Sequence, residues 1–135
     1  MLTATLGKEL VIRRLNEIGT LAEIAKTVAE KGVSIIAVCA WVEGSTGVIR
    51  LLIDDALRAA DALRAKTYEV RESPVVMVEV PHKPGMLKFM TEKLKEAGID
   101  IHHLYASAAS DQAKCVVVFS CSDNQKAVVA LNQTR

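Results

Sequence analysis

Apolar positions along this chain switch between two periods, and the same order of switches occurs twice. Glu9 to Leu15 reads as a strand, with a loop at residues 16–19. Over residues 20–31, Leu21, Ile24, Ala25 and Val28 recur at the spacing of one helical face. Thr20 and Glu23 have the spacing of a capping box, and Gly32 is placed as a helix stop able to take positive φ. Val33 to Val42 is a strand, Glu43 to Gly47 a hairpin connection and Val48 to Ile53 the partner strand. Residues 55–65 form a second helix with Ala56, Ala60 and Leu63 inward, and Lys66 to Arg71 a short fourth strand. Pro74 breaks the chain, and the pattern restarts with a strand from Val75 to Val80 and a loop from Pro81 to Gly85. Residues 86–97 are a helix with Leu87, Met90 and Leu94 on its apolar face. Ile99 to Ala108 is a strand, Ser110, Asp111 and Gln112 a turn, Lys114 to Cys121 a strand and residues 123–132 the last helix.

The two halves overlay without a gap from Gly19-Thr20-Leu21 to Ile35 and from Gly85-Met86-Leu87 to Ile101, a shift of 66 residues (19 to 85). A fixed shift of this kind means that one supersecondary unit occurs twice. The second helices need a shift of 68 (55 to 123), so the second hairpin is two residues longer. The order in each repeat is β-α-β-β-α-β, which predicts an α+β chain of two ferredoxin-like units in tandem, each an antiparallel sheet with both helices on one face. The units are expected at residues 1–72 and 73–135. Only Gln133, Thr134 and Arg135 follow the last helix. The second unit therefore has a short or missing fourth strand, or a neighbour completes its open edge.

A sheet covered on one side only should alternate apolar and polar residues. Ile35 to Val42 and Cys115 to Phe119 do not alternate. Both faces of these strands are expected to be dry, which predicts packing on another sheet or chain, most simply in a symmetric homodimer.

Composition removes several classes of function. The formal charge is +1 and no basic run is present, so there is no electrostatic footprint for nucleic acid. Aromatics are 4% of residues, too few to build base-stacking platforms. No uninterrupted apolar run approaches the roughly 20 residues of a membrane helix. The first residues lack the basic start and apolar stretch of a signal peptide. Cys39, Cys115 and Cys121 have no metal or redox spacing, and the odd count argues for reduced thiols in the cytoplasm. They read as small buried hydrophobes.

The candidate chemistry lies in the loop before each first helix. It reads Asn16-Glu17-Ile18-Gly19-Thr20-Leu21 in one repeat and His82-Lys83-Pro84-Gly85-Met86-Leu87 in the other. Gly19 and Gly85 permit a tight turn and close approach, and the following helix start suits a carboxylate. Asn16 offers donor and acceptor at that mouth, and His82 occupies the same place in the second repeat. An ordinary strand-to-helix turn would use the same residues. Asp54, Asp55 and Asp123 read as helix N-caps. His102 and His103 are adjacent on a strand, point to opposite faces and cannot share a metal. No metal, cofactor or catalytic constellation is legible, and no nucleophile or dinucleotide motif is present.

Val75 to Val80, then Pro81-His82-Lys83-Pro84-Gly85-Met86-Leu87, then Gly98-Ile99-Asp100-Ile101, resembles the ACT domain. The signature of that family is a strand, an Asp/Asn-x-Pro-Gly-x-Leu loop, an amphipathic helix and a Gly-(Ile/Val)-(Asn/Asp)-Ile entry into the next strand. The first repeat fits through Asn16, Gly19, Leu21 and Gly32-Val33-Ser34-Ile35, with Ile18 where Pro is usual. The second has His82 where Asp or Asn is usual. The arrangement is similar to small stand-alone tandem-ACT proteins. The resemblance implies a non-enzymatic regulatory module that binds an amino acid where units abut and couples to a partner enzyme or to oligomeric state. Carried over by position, the ligand residues are Asn16, Gly19, Thr20 and Leu21, then His82, Gly85, Met86 and Leu87. Further contacts are implied on Ile35 to Val38 and Ile101 to Leu104. The alternative is an assembly module with no small-molecule ligand.

Overall fold

The computed structural model describes residues 2–108 and 114–133. The elements run β1 (Thr3–Leu15), α1 (Thr20–Glu30), β2 (Ile35–Glu43), β3 (Thr46–Ile53), α2 (Ala56–Ala65), β4 (Val70–Pro81), α3 (Met86–Glu96), β5 (Ile101–Ala108), β6 (Lys114–Cys121) and α4 (Asn124–Asn132). The turn expected at Ser110 to Gln112 lies outside the described residues. Two compact units result, Lys8–Ser73 and Met1–Gly7 with Pro74–Arg135.

In the first unit the strand order is β2-β3-β1-β4. β1 pairs antiparallel with β3 from Glu9↔Leu52 to Leu15↔Thr46, and β2 pairs antiparallel with β3. Leu10 and Ile12 of β1 and Ile49 and Leu51 of β3 bury toward Ile24 and Val28 of α1 and Ala60 and Leu63 of α2. Period-2 strand residues thus meet period-3.6 helix residues in one core, which sets both helices on the same sheet face. The second unit repeats this in the order β5-β6-β4-β1. Val76, Val78, Val117 and Phe119 pack with Met90, Leu94 and Leu131. Both units are ferredoxin-like.

Two sequence expectations change. Lys66 to Arg71 and Val75 to Val80 were expected as separate strands broken at Pro74, but β4 runs unbroken through Pro74. A proline without an N–H is tolerated where the ladder does not need its donor. The division at 72/73 placed residues 1–7 with the first repeat, whereas by contacts they cluster with Pro74 onward. The reason is burial: Leu2 and Ala4 sit in the second core. The start of β1 thus occupies the fourth-strand place beside β4 in the second unit. Asn132 of α4 clips it down, since the Ala4 N–H donates to Asn132 Oδ1 at 2.8 Å and Asn132 Nδ2 donates to the Ala4 carbonyl at 2.9 Å.

The face of each sheet away from its helices is also informative. Val48 and Leu52 of β3 and Val118 of β6 lie there and are buried within this single chain. Glu9 is buried on that face too, and it accepts from Arg50 Nη1 at 2.5 Å. Of the stretch expected to be dry, Val117, Val118 and Phe119 are buried, whereas Cys115 and Val116 are half-buried. β2 behaves differently on the helix side of the sheet: Val38, paired with Leu51, and Val42, paired with Gly47, are 47% and 52% exposed.

Three helices end in the same hydrogen-bonded turn with a left-handed residue. That residue is Gly32 after α1 (φ 71) and Gly98 after α3 (φ 73), but Thr67 after α2 (φ 69). The Thr67 N–H donates to Arg64 O and the Tyr68 N–H to Leu63 O, as in a Schellman motif. A β-branched residue is strained at positive φ. Thr67→Gly is expected to raise stability by about 1 kcal/mol in urea unfolding; a loss would mean that glycine's backbone entropy outweighs the strain. Asn132→Ala removes both bonds to Ala4 and is expected to cost about 1–2 kcal/mol, with hydrogen exchange rising first at residues 3–5. Unchanged protection there would show that the clip does not hold the strand.

Candidate functional site

α1 and α3 begin differently from α2 and α4. Asp55 caps α2 by accepting from the Arg58 N–H at 3.1 Å, and Asp123 caps α4 by accepting from the Lys126 N–H at 3.0 Å. At α1 and α3 the caps are Gly19 (φ 91) and Gly85 (φ 88), with no side-chain cap bond. The capping box expected at Thr20 and Glu23 does not form. Gly19 occupies the cap, the Thr20 hydroxyl donates to the Glu17 carbonyl at 3.0 Å, and Glu23 accepts from the Tyr68 hydroxyl. Among the described residues, the N–H groups of Leu21 and Ala22, and of Leu87 and Lys88, have no partner in the protein. A first helical turn leaves such donors open unless a side chain or ligand takes them.

The first of these helix starts opens on a cleft of about 420 Å³. Asn16, Gly19, Thr20 and Leu21 all line it, so four sequence candidates come together. Arg14 and Glu17 stand at the same wall, and Ala40, Trp41, Val42, Gly47 and Ile49 form the floor. The hairpin delivers the floor: Arg14 pairs with Gly47, and the Asn16 N–H donates to the Ser45 carbonyl at 2.8 Å. Further contacts were expected on Ile35 to Val38. The cleft instead uses Ala40 to Val42, farther along β2, because Gly47 pairs with Val42 and Ile49 with Ala40. The floor residues could have been found by asking which hairpin positions pair across from Arg14 and Asn16.

Arg14 is held in place. Its guanidinium lies 4.5 Å from the Tyr68 ring centre, and it reaches Glu17 at 3.9 Å. Burial, and then the contact with Glu23, push the Tyr68 phenol above its usual range, so it stays neutral beneath the cation. At the edge of the floor the Trp41 indole donates to Glu43 at 3.0 Å. That bond, with Arg13 nearby, holds the Glu43 carboxyl below the usual range.

In the second unit His82, Met86 and Leu87 line a smaller cleft of about 210 Å³. Gly85, expected at this site, caps α3 but does not line the cleft. Its other walls are Val80, Pro81, Lys83, Met90, Leu104, Ala106, Cys115 and Val117. Of the contacts expected on Ile101 to Leu104, Leu104 takes part.

Other candidates stay apart from both clefts. Asp54 accepts from the Ser34 N–H at 3.1 Å. His102 is exposed near Asp100, and His103 Nδ1 meets Ser120 Oγ at 2.9 Å. Among the described residues, no three His, Cys, Asp or Glu side chains are placed to hold a metal ion, and no helix is long and apolar enough to cross a membrane. Cys121 is buried as expected, whereas Cys39 and Cys115 are half-buried. Cys39 lies at the sheet edge on β2, and Cys115 faces the second cleft.

The chain matches the family model of an ACT domain pair over residues 6–135. It is similar in structure to a protein from Bacteroides thetaiotaomicron (26% identity, 95% of this chain and 88% of that one covered, TM-score 0.87). It shares its fold with the ligand-free regulatory subunit of aspartate kinase from Thermus thermophilus (17% identity, 98% and 95% covered, TM-score 0.69). The corresponding subunit from Thermus flavus is also similar (17% identity, 98% and 95% covered, TM-score 0.63). Among curated proteins none matches this chain. With the family model spanning nearly all of its length and both of its units, the chain belongs to the ACT domain pair family.

Proposed function

We propose that this chain is a non-enzymatic regulatory protein that binds a free L-α-amino acid against its glycine loops, first of all at the Gly19 loop. The observation that carries this reading is the glycine-capped start of α1, with two open N–H groups above a cleft of about 420 Å³. A carboxylate suits those donors and the positive end of the helix. Arg14, fixed by Tyr68, adds a cation on the same side. Asn16 Oδ1 and the Glu17 carboxylate accept from an α-ammonium. The apolar floor of Ala40, Val42 and Ile49 receives the side chain. The likeness to regulatory subunits of aspartate kinase supports a regulatory role for the fold.

Regulation follows from linkage. An amino acid that prefers one packing of subunits shifts the population toward it, and a partner enzyme reads the shift. β2 supplies the surface for that coupling. It is an edge strand whose Ile36 and Val38 are exposed and whose Ala40 and Val42 line the cleft. An exposed apolar edge invites pairing with a second copy. The same observation favours the second reading, an assembly module that joins subunits and binds nothing small. A cytoplasmic setting fits the free cysteines.

A thermal-shift panel of the twenty L-amino acids separates the two readings. Saturation at 100 times the dissociation constant is expected to stabilise the protein by about 2.7 kcal/mol. Asn16→Ala is expected to weaken that binding roughly tenfold or more, through loss of a hydrogen bond to a charged group, with unfolding unchanged. A flat response to all twenty would leave the assembly reading. In sedimentation, the wild-type chain is expected to run as a dimer and Val38→Lys as a monomer; a dimer that survives Val38→Lys would move the interface away from β2.

A further inference from the structure

Because the chain is a repeat, its two clefts can be compared wall by wall. Strand pairing fixes the correspondence. Arg14 pairs with Gly47 in the first unit, and Val80 pairs with Cys115 in the second. Gly47 and Cys115 are therefore the same position. Elsewhere in the floors Ala40 and Ile49 correspond to Ala106 and Val117, and Leu21 to Leu87, whereas Trp41 and Val42 correspond to Ser107 and Ala108. What differs is bulk and polarity. Thr20 becomes Met86, Asn16 becomes His82, Arg14 becomes Val80, and Gly47 becomes Cys115. Cys115 and Met86 are half-buried and pack against the second core, and Met90 is fully buried beneath them. A β-carbon at Gly47 would sit in ordinary contact with Asn16 Oδ1 at 3.6 Å and the Arg14 carbonyl at 3.7 Å.

We infer that the two clefts are unequal by design of these positions: one amino acid binds per chain, in the first unit, and Cys115 with Met86 closes the equivalent site in the second. This rests on the amino-acid-binding reading and adds which cleft performs it. Cleft size agrees, at about 420 Å³ against about 210 Å³. So does charge. The first cleft offers both a cation and an anion, Arg14 and Glu17, as a zwitterion needs. In the second, the anion is replaced by Lys83 and the cation by Val80. Gly47 and Cys115 are thus the positions that set occupancy.

The test exchanges them. A β-carbon at Gly47 meets nothing closer than 3.6 Å, and Gly47 has no positive φ, so Gly47→Cys is compatible with the fold. The probe is whichever of the twenty L-amino acids gives the largest thermal shift with the wild-type chain, titrated by calorimetry. The expected stoichiometry is one per chain for wild type. Gly47→Cys is expected to weaken binding at least tenfold while keeping the wild-type circular dichroism. Met86→Thr with Cys115→Gly, combined with Lys83→Glu to restore the anion, is expected to raise the stoichiometry toward two. Cys115→Ser, which keeps the volume and removes the thiol, is expected to stay at one. Two equal sites in the wild-type chain, or wild-type affinity in Gly47→Cys, would overturn the inference and leave amino-acid binding standing. No shift with any amino acid would overturn both.

Discussion

Two helices in this chain begin on a left-handed glycine, and that backbone conformation governs what the molecule can do. A left-handed cap turns the chain sharply out of its strand and brings no side chain to the first N–H groups. Asp55 and Asp123 show the alternative used elsewhere in the same chain, where a carboxylate closes the helix start from within. At Gly19 and Gly85 the closing group has to come from outside the helix. Any residue with a β-carbon would be strained at φ 91 or 88, although nothing lies within 4 Å to obstruct it. The constraint is thus conformational and not steric, so room for a guest survives at the point where the donors are open.

The surrounding fold keeps that opening in place. β1 ends at Leu15, one residue before Asn16, and its pairing with β3 sets Gly47 across from Arg14. The loop is pinned again by the Asn16 N–H on Ser45. Behind the cleft, Glu23 holds Tyr68 and Tyr68 carries Arg14, which ties the α1 face to the chain after α2. The buried phenol thus links an exposed carboxylate to a half-buried guanidinium. A cation held this way keeps its direction without a ligand, which lowers the ordering cost of binding one.

Much of this was legible in the sequence, and the failures share a cause. The repeat, the β-α-β-β-α-β order and the glycine loops are local signals, carried by residues within a few positions of one another. Asn16, Gly19, Thr20 and Leu21 meet in one cleft because they are neighbours in the chain. The burial of Leu2 and Ala4 in the second core joins residues 128 positions apart at Asn132, and no local pattern reports such a contact. Pro74 misled for a related reason: a proline reads as a break, but whether a strand tolerates it depends on which neighbour needs the donor. The capping box at Thr20 and Glu23 failed because Tyr68, distant in sequence, took the glutamate.

The difference between the clefts lies between these extremes. Gly47 and Cys115 are unremarkable as isolated letters, one in a hairpin and one in an apolar strand. Strand register makes them equivalent, and the neighbouring Asn16 and His82 make the equivalence matter. Duplication supplies two copies of a notch, while assembly requires only that both copies fold. A fold that needs both cores but one binding site leaves the second notch free to fill with apolar bulk, which adds packing to the core beneath it. Cys115, Met86 and Met90 are soft, adaptable residues of the kind that fill irregular gaps. Stability in one unit and an open cleft in the other are the two outcomes of a single repeated backbone.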